Sequence, residues 1–132
     1  MATGFGRDIQ RQSSRTSQLK KVIRNMSNPD DIMLSIIEIF THSEFIPDVG
    51  DYYTFVYLAK SNDITYDQYP LVAVLDIFKW GFKAINFHWE KVDPSRAVKN
   101  YTWQEVAGRM HHIERNEIDY LRSLPYAKFI TK

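Results

Sequence analysis

The chain has 132 residues, a length that supports one domain with a real core but not two. It is 44% hydrophobic and 25% charged, which fits a globular protein, and it has no cysteine, which excludes disulfides and thiolate metal sites. The formal net charge of +1 hides an asymmetry. Residues 1–29 carry Arg7, Arg11, Arg15, Lys20, Lys21 and Arg24 against Asp8 alone, a net +5, while the remaining 103 residues carry 11 bases and 15 acids, a net −4. A basic arm on a mildly acidic body is suited to contacting something else.

Residues 1–18 show no apolar periodicity and no apolar run of the kind a secretory signal needs. No stretch approaches the roughly 18 apolar residues of a membrane span. In LKKVIRNM, Leu19, Val22, Ile23 and Met26 fall at i, i+3, i+4 and i+7, one face of a short helix. Residues 1–26 are therefore expected to form a basic N-terminal arm with a short helix, and 27–132 a single globular domain. Arg7, Arg11, Arg15, Leu19, Lys20, Lys21, Ile23 and Arg24 are the arm's candidate partner-binding residues.

SNPDD reads as a helix start, with Ser27 or Asn28 as cap, Pro29 in the first turn, and Asp30 and Asp31 at the positive end of the helix dipole. The following IMLSIIEIF is apolar almost all round and predicts a buried helix. After the turn EFIPDVGD, the segment DYYTFVYLAK alternates, Tyr53, Phe55 and Tyr57 against Tyr52, Thr54, Val56 and Leu58. That pattern predicts a strand covered on both sides.

YPLVAVLDIF predicts the next strand, with Pro70 at its start. KWG is a turn, and FKAINFHW a returning strand whose face of Ile85, Phe87 and Trp89 is the more apolar. EKVDPSRAVKN reads as a surface loop. Thr102 and Glu105 in TWQE match a capping box. Asn116 is placed to cap a helix EIDYLRSL stopped by Pro125, and AKFITK to form a closing strand. The fold class that follows is α+β: a small curved antiparallel sheet or barrel with N-terminal helices and an extended basic N-terminal arm.

Chemical signatures are sparse. HHIE holds His111, His112 and Glu114, and His88 lies beside Glu90, but neighbouring side chains splay apart and no metal-binding spacing is present, so packing or surface roles are expected and no metal or other cofactor. Asp63, Asp67, Asp76, Glu90 and Asp93 flank the strands without a motif that fixes two at a working distance. A hydrolase with an unrecognised carboxylate site is the weakest reading. There is no phosphate-binding glycine loop and no nucleophile elbow. Thirteen of the nineteen aromatic residues lie between Tyr52 and Trp103. Such a concentration suits either a packed β core or a base-stacking surface. Period-two spacing favours the core.

The run GDYYTFVYLAK, then YDQYPLVAVLDI, then GFKAINFHW resembles a pattern in small virion proteins of contractile-tailed, T-even-type bacteriophages and cyanophages. It falls on Tyr57, Ala59 and Lys60, on Tyr66, Asp67, Pro70 and Leu71, and on Gly81, Phe82, Ile85, Asn86, His88 and Trp89. The resemblance covers about residues 50–105. It implies a non-enzymatic structural protein of the tail or baseplate, near the hub, assembled in the host cytoplasm into the virion. Its partners would be other tail or baseplate proteins and further copies of itself. It carries over no catalytic residue. The alternative is a small nucleic-acid-binding barrel that uses the basic arm and exposed aromatics.

Overall fold

The computed structural model describes residues 15–59 and 66–130. Helix α1 spans 15–22 and α2 spans Pro29–Ile39; strands β1 (Ser43–Glu44), β2 (Tyr52–Tyr57), β3 (Tyr66–Asp67), β4 (Leu71–Ile77) and β5 (Gly81–Asn86) follow. Then come α3 (Phe87–Val92), β6 (Val98–Thr102), β7 (Val106–Ile113), α4 (Ile118–Ser123) and β8 (Phe129–Ile130), with 3-10 turns at Pro94–Arg96, Trp103–Glu105 and Arg115–Glu117. The chain is α+β. Its main sheet is antiparallel with strand order β1-β7-β2-β4-β5-β6, and β3 pairs with β8 in a separate small ladder. The barrel alternative is corrected: among the described residues β1 and β6 are the edges of the sheet, which does not close.

The sheet is nonetheless rolled. β2 and β6 are separated by two strands, yet Phe55 and Tyr57 both meet the Tyr101 ring edge-on, at centroid distances of 5.4 and 5.0 Å. The concave face thus closes on itself around Tyr53, Phe55, Val72, Val74, Phe82, Ala84, Tyr101 and Met110. A second core fills the space between the other face and the helices, from Leu19 of α1 and Ile23 just after it, through Ile32, Met33 and Ile36 of α2, to Leu71, Ile113 and Leu121. β2 separates the two, which is why Tyr53, Thr54 and Phe55 are all buried, as the double-sided alternation predicts.

The cap of α2 forms as its sequence predicts: Asn28 accepts from the Asp30 N–H at 2.8 Å and Pro29 opens the helix. Leu34 projects into solvent, so α2 is less enclosed than its composition implies. In β5 the expected faces are reversed, because Phe82, Ala84 and Asn86 are buried while Lys83 is exposed and Ile85 half-buried. That strand also stops early. The Asn86 side chain accepts from the His88 and Trp89 N–H groups, both at 2.9 Å, and starts α3 where a strand was expected.

The presumed loop 90–100 ends in strand β6. The Thr102–Glu105 pair bonds side chain to side chain at 2.7 Å without opening an α-helix, and β7 follows. Glu114, rather than Asn116, closes a reciprocal capping box with Glu117 ahead of α4.

At the β4–β5 turn, Phe78 and Gly81 exchange two backbone hydrogen bonds around Lys79 and Trp80. Gly81 is obligatory there, since a Cβ would run into the Tyr101 carbonyl oxygen on β6.

The described part of the basic arm belongs to the domain. Leu19 is 0% and Ile23 8% exposed, and Arg15 pairs with Glu117 through Nε and Nη2 and stacks on Phe40. The expectation that Arg15, Leu19 and Ile23 grip a partner is therefore corrected. Lys20, Lys21 and Arg24 remain exposed. Arg7, Arg11, Lys60 and Asp63 lie outside the described residues.

Candidate functional site

Residues far apart in sequence meet in one buried polar network. Asp67, in the β3 turn, uses Oδ1 to accept from the Tyr69 N–H at 3.0 Å and Oδ2 to receive His88 Nδ1 at 2.8 Å. Asn86 Nδ2 donates to the Tyr101 hydroxyl at 2.8 Å and to Asp67 Oδ2 at 3.3 Å. A carboxylate oxygen accepts, so His88 donates to Asp67 from Nδ1. Nε2 is then the free nitrogen; it is buried and has no hydrogen-bond partner among the described residues.

A carboxylate that orients an imidazole through Nδ1 is half of an acid–base triad. Among the described residues, no nucleophile is hydrogen-bonded to Nε2. His88 is 5% exposed, the Tyr126 ring meets it edge-on at 5.1 Å, and the Tyr126 hydroxyl is held by Thr54 Oγ1 at 3.3 Å. Neither cleft described below includes His88 in its lining. The network joins β3, β5, α3 and β6 and fixes their mutual register. Burial raises the pKa of Tyr101 well above that of free tyrosine, against a lowering from the Asn86 hydrogen bond, and it raises Tyr126 likewise.

Of the residues in the pattern quoted from the sequence, Asp67, Asn86 and His88 meet in this network, Gly81 and Phe82 set the β5–β6 approach, and Pro70 precedes β4. Tyr66 meets Tyr57 edge-on, and Trp89 is buried under Arg96 and Lys99.

The remaining candidates are dispersed. His111 Nδ1 meets the Phe40 carbonyl at 2.8 Å, while His112, on the opposite face of β7, lies 3.7 Å from Asp51 and 3.5 Å from Glu114 and stacks on His42. Among the described residues no group of three or more histidines and carboxylates is placed to hold a metal. Asp76 faces Lys83 across the ladder, Glu90 pairs with Arg122 at 3.3 Å, and Asp93 accepts the Ser95 hydroxyl. These acids do not converge with Asp67.

One groove open to solvent is apolar. At one end of the sheet, Phe45, Ile46, Ile77, Phe78, Trp103, Val106 and Gly108 line a groove of about 490 Å³. Phe45 is 65%, Ile46 64% and the adjoining Trp80 45% exposed. The Phe78 and Trp80 rings stack at 5.0 Å on the hairpin tip, which Trp103 anchors through an Nε1–H bond to the Phe78 carbonyl and an N–H bond to the Trp80 carbonyl. The Gly108 bulge, at φ +82°, and the register shift opposite Thr54–Val56 shape its floor. A second, more polar cleft of about 330 Å³ lies between Tyr52, Phe87, Arg115, Ile118, Asp119 and Arg122.

Periodicity could not have located the groove. Its residues come from a loop, the last residue of β4, a hairpin tip, a 3-10 turn and the start of β7 with its bulge, a set that leaves no repeating signal. No helix among the described residues is long and apolar enough to cross a membrane. Compared with protein families, curated proteins and solved structures, the chain matches none.

Proposed function

We propose that this chain is a non-enzymatic assembly subunit whose copies join head to tail, with the apolar end of the sheet as the centre of the contact. Carried by its sequence resemblance, the reading places it among tail or baseplate components of a contractile-tailed phage. The observation that carries the docking role is the rigid, exposed cluster of Phe45, Ile46, Phe78 and Trp80 around the groove. A contiguous apolar patch on a framework already tied down by hydrogen bonds loses little entropy on docking. The exposed Lys20, Lys21 and Arg24, on a chain whose residues 30–132 carry a net −4, favour a contact between unlike surfaces of two copies.

Light scattering on the full chain tests this reading. A defined oligomer is expected, reduced to monomer by Phe45→Glu with Trp80→Glu and weakened by high salt. A wild-type chain that stays monomeric at every concentration refutes it.

The stacked Phe78–Trp80 pair beside exposed Lys79 supports a second reading, a platform for single-stranded nucleic acid. It requires a mass increase on adding an oligonucleotide, reversed by salt and lost with Trp80→Ala.

A further inference from the structure

Among the described residues, β6 is an edge strand whose outer hydrogen-bonding side meets no other strand. The Asn86 N–H bonds the Ala97 carbonyl and the Trp103 N–H bonds the Trp80 carbonyl, which fixes the phase of the β5–β6 ladder. In an antiparallel pair, hydrogen-bonded and non-bonded positions alternate. Lys99 and Tyr101 therefore turn their backbone groups inward to β5, and Val98, Asn100 and Thr102 turn theirs to the open side. No strand lies beyond β6 among the described residues. Val98 is 54% exposed.

The same edge carries a crowded pair of cations. The Arg96 guanidinium lies 4.6 Å and the Lys99 ammonium 3.8 Å from the centre of the Trp89 ring, which itself is buried. Partial burial and the Arg96 charge both lower the Lys99 pKa, and Asp93 opposes them. Asp93 is already engaged with the Ser95 hydroxyl, and Lys83, next in the ladder, is matched by Asp76. The seam thus holds more positive charge than its own carboxylates meet.

We propose that the β6 edge is a docking site for an extended, acidic segment of a partner protein, added as a further antiparallel strand. Backbone groups of Val98, Asn100 and Thr102 supply its hydrogen bonds, and Arg96 and Lys99 receive its carboxylates. Charge complementarity selects this occupant. A second copy paired along the same edge by two-fold symmetry would crowd two Arg96–Lys99 pairs onto one short seam, like charge against like. The site is separate from the apolar groove and does not depend on it.

The test uses the full chain with two labelled peptides of about ten residues, a length that spans the strand, one alternating Glu with Val and one alternating Lys with Val. The Glu/Val peptide is expected to bind and to slow amide exchange at Val98, Asn100 and Thr102. Arg96→Ala with Lys99→Ala should weaken it at least about tenfold, as two lost charge-assisted contacts require. Asn100→Pro should abolish binding while leaving the melting temperature nearly unchanged, because the N–H it removes takes part in no internal bond. Equal binding of the Lys/Val peptide, protection confined to other strands, an Asn100→Pro chain that binds normally, or no binding by either peptide would each overturn the proposal.

Discussion

Replacing Asn86 with alanine would test whether the buried network holds β3, β5, α3 and β6 together. The side chain makes four hydrogen bonds and is fully buried: two as the cap of α3, one to the Tyr101 hydroxyl and one to Asp67. Loss of the cap costs about 1 kcal/mol. Stranding the buried Tyr101 hydroxyl and thinning the shell around Asp67 adds about 1–3 kcal/mol. The sum, about 2–4 kcal/mol, is a large share of the roughly 5–15 kcal/mol by which domains are stable. A domain of this size should then melt on the order of 10 °C lower. Urea unfolding followed by tryptophan fluorescence reads the change directly, because Trp89 sits in the helix that Asn86 caps. A loss below about 0.5 kcal/mol, the scale of a neutral surface change, would show that the network contributes no net stability and would refute the reasoning.

Two further outcomes check other parts of the argument. Arg15→Ala leaves the Glu117 carboxylate buried without its cation and should destabilise by about 2–4 kcal/mol, with much of the loss recovered when Glu117→Gln is added; no loss in the single variant would return Arg15 to the free arm. Alkali should unfold the protein from about pH 10 upward, the ordinary tyrosine pKa. Burial raises Tyr57 and Tyr69 to about 12 and raises Tyr53, Tyr101 and Tyr126 as well. A raised pKa means the folded state holds the proton more tightly, so this stabilisation is complete below pH 10 and falls as pH rises through 12. A urea midpoint that stays flat from pH 9 to 12 would contradict the burial of these hydroxyls.

Local chemistry determined much of the outline. The Asn28–Pro29–Asp30 start, the double-sided alternation of Tyr52–Tyr57, the Pro70 strand entry, the turn before Gly81 and the closing strand at Phe129–Ile130 follow from capping, period-two burial and the backbone limits of proline and glycine. These signals act over a few residues and are visible without the rest of the chain.

Tertiary structure decided what depends on distant partners. Asn86 ends a strand because its side chain caps the next helix while Tyr101 and Asp67 hold its amide. β6 and β7 exist because adjacent strands supply their hydrogen bonds, although VKNYT and VAGRMHHI lack a clear apolar alternation of their own. Arg15 reads as a free charge until Glu117, 102 positions later, comes within reach. The roll of the sheet turned Tyr53, Phe55, Phe82 and Tyr101 into core and left Phe78 and Trp80 outside, at its end. Spacing along a chain specifies which side chains share a face of one element; only the packed sheet specifies which face is covered.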